Sequence, residues 1–294
     1  MTRAGIVTVV GKPNAGKSTF LNRVVGQKLS IVSPKPQSTR DRIVGIVTDD
    51  DTQMIVFDTP GLLNPKYALH RAMRSTALDA LADADVVIYL ADPAEGVAPS
   101  LAEAAELTVS PIAPVFTVYN KIDTIDTDQR DRLAVATPGA RFISALTGEN
   151  VEDLVAEARR RLPESPFLYD ADDVSTQTMR FFAAELVRES ALEQLDEEVP
   201  YSLACEIEEF RETRTPVYIR AVLYVERETQ KHILIGAKGA RIKEIGRSAR
   251  VKIEDLVGQK VYLDLWVKVL ANWRKNTGAL ARFGYRIPEE KRPR

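Results

Sequence analysis

The chain has 294 residues, of which 45% are hydrophobic and 28% charged, and its net charge is −2. This length allows one large domain or two ordinary ones, and the composition is typical of a globular protein with a substantial core. No apolar run reaches about 18 residues, and the first residues enter a strand at once, so we expect neither a membrane span nor a signal peptide. Cys205 is the only cysteine, which excludes an internal disulfide and fits a reduced, cytoplasmic setting.

Charge is distributed unevenly along the chain. Residues 1–165 carry a net charge of −3, residues 166–216 carry −9, and residues 217–294 carry +10. A strongly basic C-terminal third indicates a polyanionic partner, although a solvated charged surface is the other interpretation that charge alone allows.

Residues 11–18 read G-K-P-N-A-G-K-S, between an apolar run at 6–10 and a helical stretch at 19–25. A G-x-x-x-x-G-K-S loop between a strand and a helix predicts a phosphate-binding loop, whose backbone N–H groups surround a polyphosphate. Lys17 is placed to reach the β- and γ-phosphates, and the Ser18 hydroxyl to coordinate Mg²⁺. The predicted nucleotide contacts of this loop are Gly11, Asn14, Ala15, Gly16, Lys17, Ser18 and Thr19.

A second motif follows a surface loop at 33–41 and a predicted hairpin formed by 42–48 and 53–57. The sequence Asp58-Thr-Pro-Gly61 stands at the carboxyl end of the second hairpin strand, where an acidic residue that holds Mg²⁺ is expected. Many GTPases place a glutamine directly after this glycine to orient the attacking water. Leu62 occupies that position here, so we expect slow intrinsic hydrolysis.

The N-K-x-D sequence at 120–123 identifies the base. The Asp123 carboxylate can accept hydrogen bonds from N1–H and the 2-amino group of guanine, which adenine cannot supply. A serine–alanine–leucine sequence follows the next strand, and the Ala145 N–H is predicted to meet guanine O6. The residues predicted to recognise guanine are Asn120, Lys121, Asp123, Ser144, Ala145 and Leu146.

Strands alternate with helical stretches around 66–82, 100–108, 128–136 and 150–161. This alternation predicts an α/β fold, a doubly wound and mostly parallel sheet with helices on both faces. All the motifs fall at strand carboxyl ends, where such sheets bind ligands. We therefore predict a P-loop GTPase domain at 1–168.

Two prolines at 163 and 166 and an acidic stretch mark a predicted linker at 169–177, followed by a second domain at 178–294. Its predicted order is helix, strand, strand, helix, a G-A-K-G turn at 236–239, helix and strand, which is the α+β arrangement of a type II KH domain. A G-x-x-G turn lets a nucleic-acid backbone approach closely. The predicted RNA contacts are Ile233, Ile235, Gly236, Ala237, Lys238, Gly239, Arg241 and Ile242. Residues 291–294 are predicted to form a solvated tail.

A guanine-nucleotide domain joined to a C-terminal type II KH domain resembles the bacterial Era GTPases over nearly the whole chain. The resemblance implies that Thr39, in the mobile loop, completes Mg²⁺ coordination with Ser18 and Asp58. It implies GTP and GDP as ligands, binding near the 3′ end of 16S ribosomal RNA, and a role in small (30S) subunit assembly and rRNA maturation. Peripheral contact with the inner face of the membrane is also implied, and we expect a monomer.

The residues assigned to catalysis are Lys17, Thr39, Gly61 and Asn14. Asn14 occupies the position that binds a K⁺ ion in a subset of these GTPases, so we expect potassium to stimulate hydrolysis. Arg40 and Arg42 are the competing candidates for charge stabilisation. We further expect GTP and Mg²⁺ to order the loops at 33–41 and 58–70, so that RNA affinity depends on the nucleotide.

Three other functions stay open at this stage. A P-loop kinase would bind ATP as well as GTP, whereas 120–123 and 144–146 favour guanine. A nucleotide-regulated membrane or protein adaptor would bind anionic vesicles or a protein partner without specific RNA binding. A DNA-binding KH protein would prefer single-stranded DNA over RNA of the same sequence.

Overall fold

The computed structural model describes residues 1–287, which form two compact units. The first comprises Met1–Lys66 and His70–Thr176, and the second comprises Tyr67–Leu69 and the chain from Gln177 onward. The tail predicted at 291–294 lies outside the described residues. Within residues 1–287, no helix is both long and apolar enough to cross a membrane.

The first unit contains a six-stranded sheet with the strand order β2-β3-β1-β4-β5-β6. The strands are β1 (Arg3–Gly11), β2 (Ile43–Thr48), β3 (Thr52–Asp58), β4 (Val86–Ala91), β5 (Val115–Tyr119) and β6 (Arg141–Phe142). β2 and β3 pair antiparallel as a hairpin at the sheet edge, and the other neighbouring strands are parallel. The predicted mostly parallel sheet is therefore confirmed.

Helices cover both faces of this sheet. They are α1 (Lys17–Val25), α2 (Ala68–Ala82), α3 (Leu101–Ala104), α4 (Thr127–Ala136) and α5 (Val151–Arg161). On β2, Val44 and Ile46 pack with Ala80 of α2. A Cβ on the intervening Gly45 would instead lie 2.5 Å from Cγ2 of Val25 on α1. Because side chains alternate across a strand, α1 and α2 lie on opposite faces.

The helix predicted around 100–108 is shorter than the sequence pattern indicates. Ser100 and Glu103 form a capping box that starts α3, which then ends at Ala104. Glu106 adopts a left-handed backbone with φ of 50°, which a continuing helix cannot accommodate.

The second unit contains a three-stranded sheet with helices packed against it. Its elements are α6 (Met179–Gln194), β7 (Ala204–Arg211), β8 (Val217–Val225), α7 (Glu228–Ile235), α8 (Ala240–Val257), β9 (Val261–Val269) and α9 (Thr277–Arg282). The strand order is β7-β8-β9, with β7 antiparallel and β9 parallel to β8. Alternate residues of β8 form one core with α6 and α8, represented by Ile219, Ala191 and Ile245. The predicted KH order is therefore confirmed.

A segment that the sequence pattern did not assign follows β9. Trp273 is fully buried, and its indole N–H donates to the Ser202 carbonyl oxygen at 2.8 Å. The Phe283 ring packs against Trp273 and Tyr224, with centroids 5.3 Å apart in both pairs. Residues 270–283 thus add a second layer to the KH sheet.

Candidate nucleotide and nucleic-acid sites

The loop of residues 11–18 connects the carboxyl end of β1 to α1. Gly16 caps α1 with φ of +92°, and a Cβ there would lie 2.1 Å from Asn120 Nδ2. Both the backbone conformation and the contact therefore require glycine. The loop lies against the strand ends, so its backbone donors and the N-terminus of α1 can face one anionic ligand.

Lys17 is buried at the base of this loop. Its Nζ donates to the carbonyl oxygens of Gly11 at 3.1 Å and Lys12 at 2.8 Å. Burial lowers the pKa of Lys17 to about 8, although the nearby Asp58 carboxylate acts in the opposite direction. The ammonium group is consequently close to its point of deprotonation near neutral pH, and an added phosphate charge would stabilise its protonated form.

Hydroxyl groups converge on Asp58, where the sequence predicts Mg²⁺. Its Oδ2 accepts hydrogen bonds from Ser18 and Ser30, each at 2.7 Å, and from Thr39 at 3.4 Å. The Ser18 and Thr39 oxygens are 2.9 Å apart. Burial raises the pKa of the Asp58 carboxyl, and Lys17 together with these hydrogen bonds opposes the shift.

This donor set fits a magnesium ion. Asp58 Oδ1 is buried and has no hydrogen-bond partner among residues 1–287. Orphaned buried oxygens are rare, and hydroxyl and carboxylate oxygens are the ligands that Mg²⁺ prefers. Ser30 was not a predicted site residue. It is presented to Asp58 by Asn22, whose side chain bonds the Ser30 N–H and carbonyl oxygen at 2.8 Å each.

A cavity of about 360 Å³ opens beside these groups. Its lining includes Asn14, Gly16, Lys17, Ser18, Thr19, Gln37, Thr39, Gly61 and Lys121. The Asn14 side chain donates to the Pro34 carbonyl oxygen at 2.9 Å, and the Gln37 side chain lies 3.0 Å from His70 Nε2. The loop at 33–41 is therefore held both to the phosphate-binding loop and to His70, the last residue of the segment 58–70.

Leu62 has no access to this cavity. Its side chain is buried in a cluster with Val10, Ala77 and Tyr89, while its N–H donates to the Gly11 carbonyl oxygen at 3.0 Å. It cannot orient an attacking water. Gly61 approaches the phosphate-binding loop closely, since a Cβ there would lie 2.7 Å from the Pro13 nitrogen.

The residues predicted to recognise guanine are joined by hydrogen bonds. Ser144 Oγ donates to Asp123 Oδ1 at 2.5 Å, and Asn120 Nδ2 donates to the Ala15 carbonyl oxygen at 2.8 Å. The Ala145 N–H donates to Asn120 Oδ1 at 2.8 Å. The side-chain amide of Asn120 therefore bonds both the phosphate-binding loop and the loop at residues 144–148, which we call the base loop. The contact between Ala145 and guanine O6 stays a prediction.

Two neighbours of this group complete its description. Lys121 Nζ bonds Asp92 Oδ2 at 2.6 Å, an acceptor that sequence reasoning missed because it follows a different strand. The Leu146 side chain, in contrast, is 68% exposed.

In the second unit, the G-A-K-G turn separates α7 from α8. Gly236, Lys238 and Gly239 all have positive φ, and Lys238 is exposed at the tip. Such a turn projects no side chain from its glycines, so a nucleic-acid backbone can approach it. A cavity of about 470 Å³ beside the turn is lined by Gln194, Gly236, Ala237, Ala240 and Arg241.

The predicted RNA-contacting side chains differ in exposure. Ile233 is 42% exposed, Ile235 is half-buried, and Ile242 packs partly against the domain core. Arg241 donates to the Ile233 carbonyl oxygen at 3.1 Å, which ties α8 back to α7 across the turn. Gln194 at the end of α6 was not predicted, because nothing in the local sequence connects it to the turn.

Two family descriptions match the chain. The family described as "50S ribosome-binding GTPase" matches residues 6–121, and the family described as "KH domain" matches residues 198–274. Together with the sites above, they define the chain as a P-loop GTPase that carries a KH domain.

Similar proteins identify the family. GTPase Era of Thermotoga petrophila is 41% identical over 281 residues, covering 93% of this chain and 94% of that protein. GTPase Era of Pseudomonas putida F1 is 42% identical over 292 residues, covering 97% of each. A crystal structure of Era in complex with MgGDPNP and nucleotides 1506–1542 of 16S ribosomal RNA matches with a TM-score of 0.91 and 38% identity, over 98% of this chain and 100% of that one. The chain belongs to the Era GTPase family.

Proposed function

We propose that this GTPase binds GTP and GDP in the 360 Å³ cavity and hydrolyses GTP with Mg²⁺. The hydroxyl cluster around Asp58 Oδ2 carries this proposal, because it gathers residues from three separate segments at the one place where Mg²⁺ is needed. Ser18 and Thr39 would hold the ion, which would polarise the phosphoryl oxygens when bound. Lys17 binds phosphate oxygens and holds its proton there.

Selection of guanine rests on Asp123, with Lys121 over the base and Asn120 linking the base to the phosphate-binding loop. A substitution of Asp123 by Asn tests this pocket. The asparagine amide can donate to the 2-oxo group of xanthine, whereas aspartate can only accept. We expect the variant to prefer xanthosine over guanosine diphosphate, and an unchanged preference would contradict the proposed pocket.

Hydrolysis without a glutamine or an external arginine is expected to be slow. Asn14 is the residue we assign to a potassium ion, which would supply positive charge beside the phosphates. Faster GTP hydrolysis in KCl than in NaCl at equal ionic strength supports this assignment. Equal rates in the two salts reject it and leave Arg40 and Arg42 as the charge donors to examine.

The KH domain is proposed to bind the 3′ end of 16S ribosomal RNA, in the assembly of the 30S subunit and the maturation of its rRNA. Three observations support this: the positive-φ G-A-K-G turn, the net charge of +10 over 217–294, and a relative with TM-score 0.91 in complex with nucleotides 1506–1542. We assign residues 1–168 to the GTPase domain, 169–177 to a linker and 178–294 to RNA binding, in a cytoplasmic monomer with peripheral contact with the membrane.

Nucleotide and RNA binding are proposed to be coupled. GTP would order the loops at 33–41 and 58–70, which are linked through Gln37 and His70. Any effect of GTP on RNA affinity must then be matched by an equal effect of RNA on GTP affinity.

A binding experiment tests the RNA site and the coupling together. Labelled RNA that copies nucleotides 1506–1542 is titrated with protein holding a non-hydrolysable GTP analogue or GDP, at stated salt. Gly239→Asp is compared with Gly258→Asp. Both glycines have similar positive φ (78° and 73°), and among residues 1–287 a Cβ meets nothing closer than 4.0 Å at either, so the two variants carry equal backbone strain.

We expect tighter binding in the GTP state and a loss only in Gly239→Asp. Equal affinity in both nucleotide states keeps the RNA site but rejects the coupling. If neither state binds RNA while the protein binds anionic vesicles, the membrane-adaptor function replaces the proposed one.

A further inference from the structure

One arginine links the helix that follows the phosphate-binding loop to the base-recognition loop. Arg23 lies in the last turn of α1, six residues after Lys17. Its Nε donates to the Ala145 carbonyl oxygen at 2.6 Å, and its guanidinium also donates to the Leu146 carbonyl oxygen. The two acceptors are consecutive backbone groups of the loop predicted to contact guanine O6.

The space for this side chain is kept open by a glycine. Gly148 has φ of +96°, and a Cβ there would lie 2.9 Å from an Arg23 guanidinium nitrogen. The Gly148 N–H closes the turn by donating to the Ser144 carbonyl oxygen at 2.8 Å. The loop therefore follows a tight path around the guanidinium.

The base loop is held from two directions. On its inner side, Asn120 accepts from the Ala145 N–H, and Asp123 accepts from Ser144. On its outer side, Arg23 holds the Ala145 and Leu146 carbonyl oxygens. Ala145 is therefore held at both of its backbone groups: Asn120 fixes the peptide unit that carries its N–H, and Arg23 fixes the next planar peptide unit, which carries its carbonyl.

We propose that Arg23 is a positioning residue for guanine recognition, acting through the Ala145 and Leu146 backbone without touching the nucleotide. A planar guanidinium directs two N–H groups at two neighbouring oxygens in a fixed geometry, whereas a lysine ammonium keeps the charge and the donors but not that geometry, so lysine is expected to replace it in part. This inference rests on the guanine pocket proposed above. It adds a connection between the phosphate and base subsites that is separate from the one through Asn120.

The test compares the affinities of two diphosphates for Arg23→Gln and Arg23→Lys. Arg161→Gln, which changes an exposed arginine at the end of α5, is the matched control. GDP and inosine diphosphate share O6, and only GDP has the 2-amino group that Asp123 recognises. A defect in positioning Ala145 should therefore weaken both ligands equally.

We expect Arg23→Gln to weaken GDP and inosine diphosphate each by roughly 5- to 30-fold, the range for losing charge-assisted hydrogen bonds at a partly screened site. Arg23→Lys should recover part of this loss, and Arg161→Gln should match the parent. The value of kcat at saturating GTP should stay within about twofold, because the phosphate subsite is intact.

The inference is overturned if Arg23→Gln binds GDP within about twofold of the parent, or if its preference for GDP over inosine diphosphate changes. Asp123→Asn, measured in parallel, distinguishes a failure of the proposed guanine pocket from a failure of the role proposed for Arg23. If it prefers xanthosine diphosphate while Arg23→Gln has no effect, the pocket stands and the role of Arg23 fails. If Asp123→Asn keeps the parental preference, the pocket itself fails.

Discussion

The lowered pKa of Lys17 predicts that nucleotide affinity depends on pH in a range where most lysines do not titrate. Without nucleotide, this pKa is about 8, because burial disfavours the charged form. In the complex, the polyphosphate keeps the ammonium protonated. Binding therefore requires proton uptake at any pH near or above 8, and the affinity for GDP must fall as pH rises.

The magnitude follows from the fraction of protein that is already protonated. With a pKa of about 8, the apparent Kd is raised by a factor of about 1.1 at pH 7 and about 4 at pH 8.5. The expected loss of GDP affinity between these two pH values is thus roughly fourfold, or about 0.8 kcal/mol.

Fluorescent GDP titrations in EDTA measure this change without interference from Mg²⁺ at Asp58. Lys17→Arg is the control, because an arginine stays charged throughout and any titration of guanine itself would appear equally in both proteins. We expect the pH dependence in the parent alone. Parallel curves for the two proteins would refute the inference that Lys17 titrates.

Protein stability should respond to pH with the opposite sign. The unfolded chain keeps its lysine proton up to pH 10.5, whereas folded Lys17 releases it near 8. Between these values the unfolded state binds more protons, so the free energy of unfolding contributed by Lys17 rises with pH, by up to about 3 kcal/mol. Urea unfolding of the ligand-free parent, compared with Lys17→Arg to cancel other titrations, should show this rise.

Three substitutions test other contacts. Gly16→Ala should lower stability by about 1–3 kcal/mol and GDP affinity by at least about tenfold, because its Cβ would displace the Asn120 amide. Ser30→Ala removes a donor from the buried Asp58 carboxylate and should lower the free energy of unfolding by about 1.5–3 kcal/mol in urea. Leu62→Gln should not accelerate GTP hydrolysis, and should destabilise the fold by about 2–4 kcal/mol, since it buries an amide in an apolar cluster.

For each of these three substitutions, a control variant or a specific outcome would contradict the expectation. Gly26 also has positive φ, but a Cβ there meets nothing within 4 Å in the part of the chain that the structure describes, so Gly26→Ala reports backbone strain alone. If Gly16→Ala and Gly26→Ala behave alike, the contact with Asn120 is unimportant. A Ser30→Ala protein as stable as the parent would show that Asp58 does not need its third donor. A faster Leu62→Gln enzyme would mean that residue 62 leaves the core during catalysis.

The sequence predicted the positions of those site residues that belong to short motifs, in which the residues are close together in the chain. The spacing of the loop that contains Lys17, and the position of Asp58 at the end of a strand, determine where these groups lie once the sheet is parallel. The order of elements in the KH domain followed from simple periodicity. In each case local pattern and global fold agree.

The sequence did not reveal contacts between side chains and groups that are far away along the chain. Arg23 contacts Ala145 and Leu146, which lie 122 and 123 positions after it in the chain. Nothing in its helix distinguishes it from a solvated arginine. Asp92 and Ser30 depend in the same way on packing between different strands and loops. The segment at 270–283 was missed because α9 is only 6 residues long, too short for periodicity to show.

The hydroxyl cluster around Asp58 indicates how one carboxylate can prepare a cation site by orienting the hydroxyl groups next to it. A hydroxyl has one hydrogen and two lone pairs, and Ser18 directs its hydrogen toward Asp58 Oδ2. The lone pairs of Ser18 are thereby turned away from the carboxylate. A hydrogen bond from Thr39, whose Oγ1 lies 2.9 Å from Ser18 Oγ, uses at most one of them and leaves the other for a cation. Oδ1 has no partner among the described residues and can accept from a water on the ion. With Mg²⁺ bound, Asp58 would orient the hydroxyls through one oxygen and a metal-bound water through the other, which is a physical reason for an acidic residue at this position.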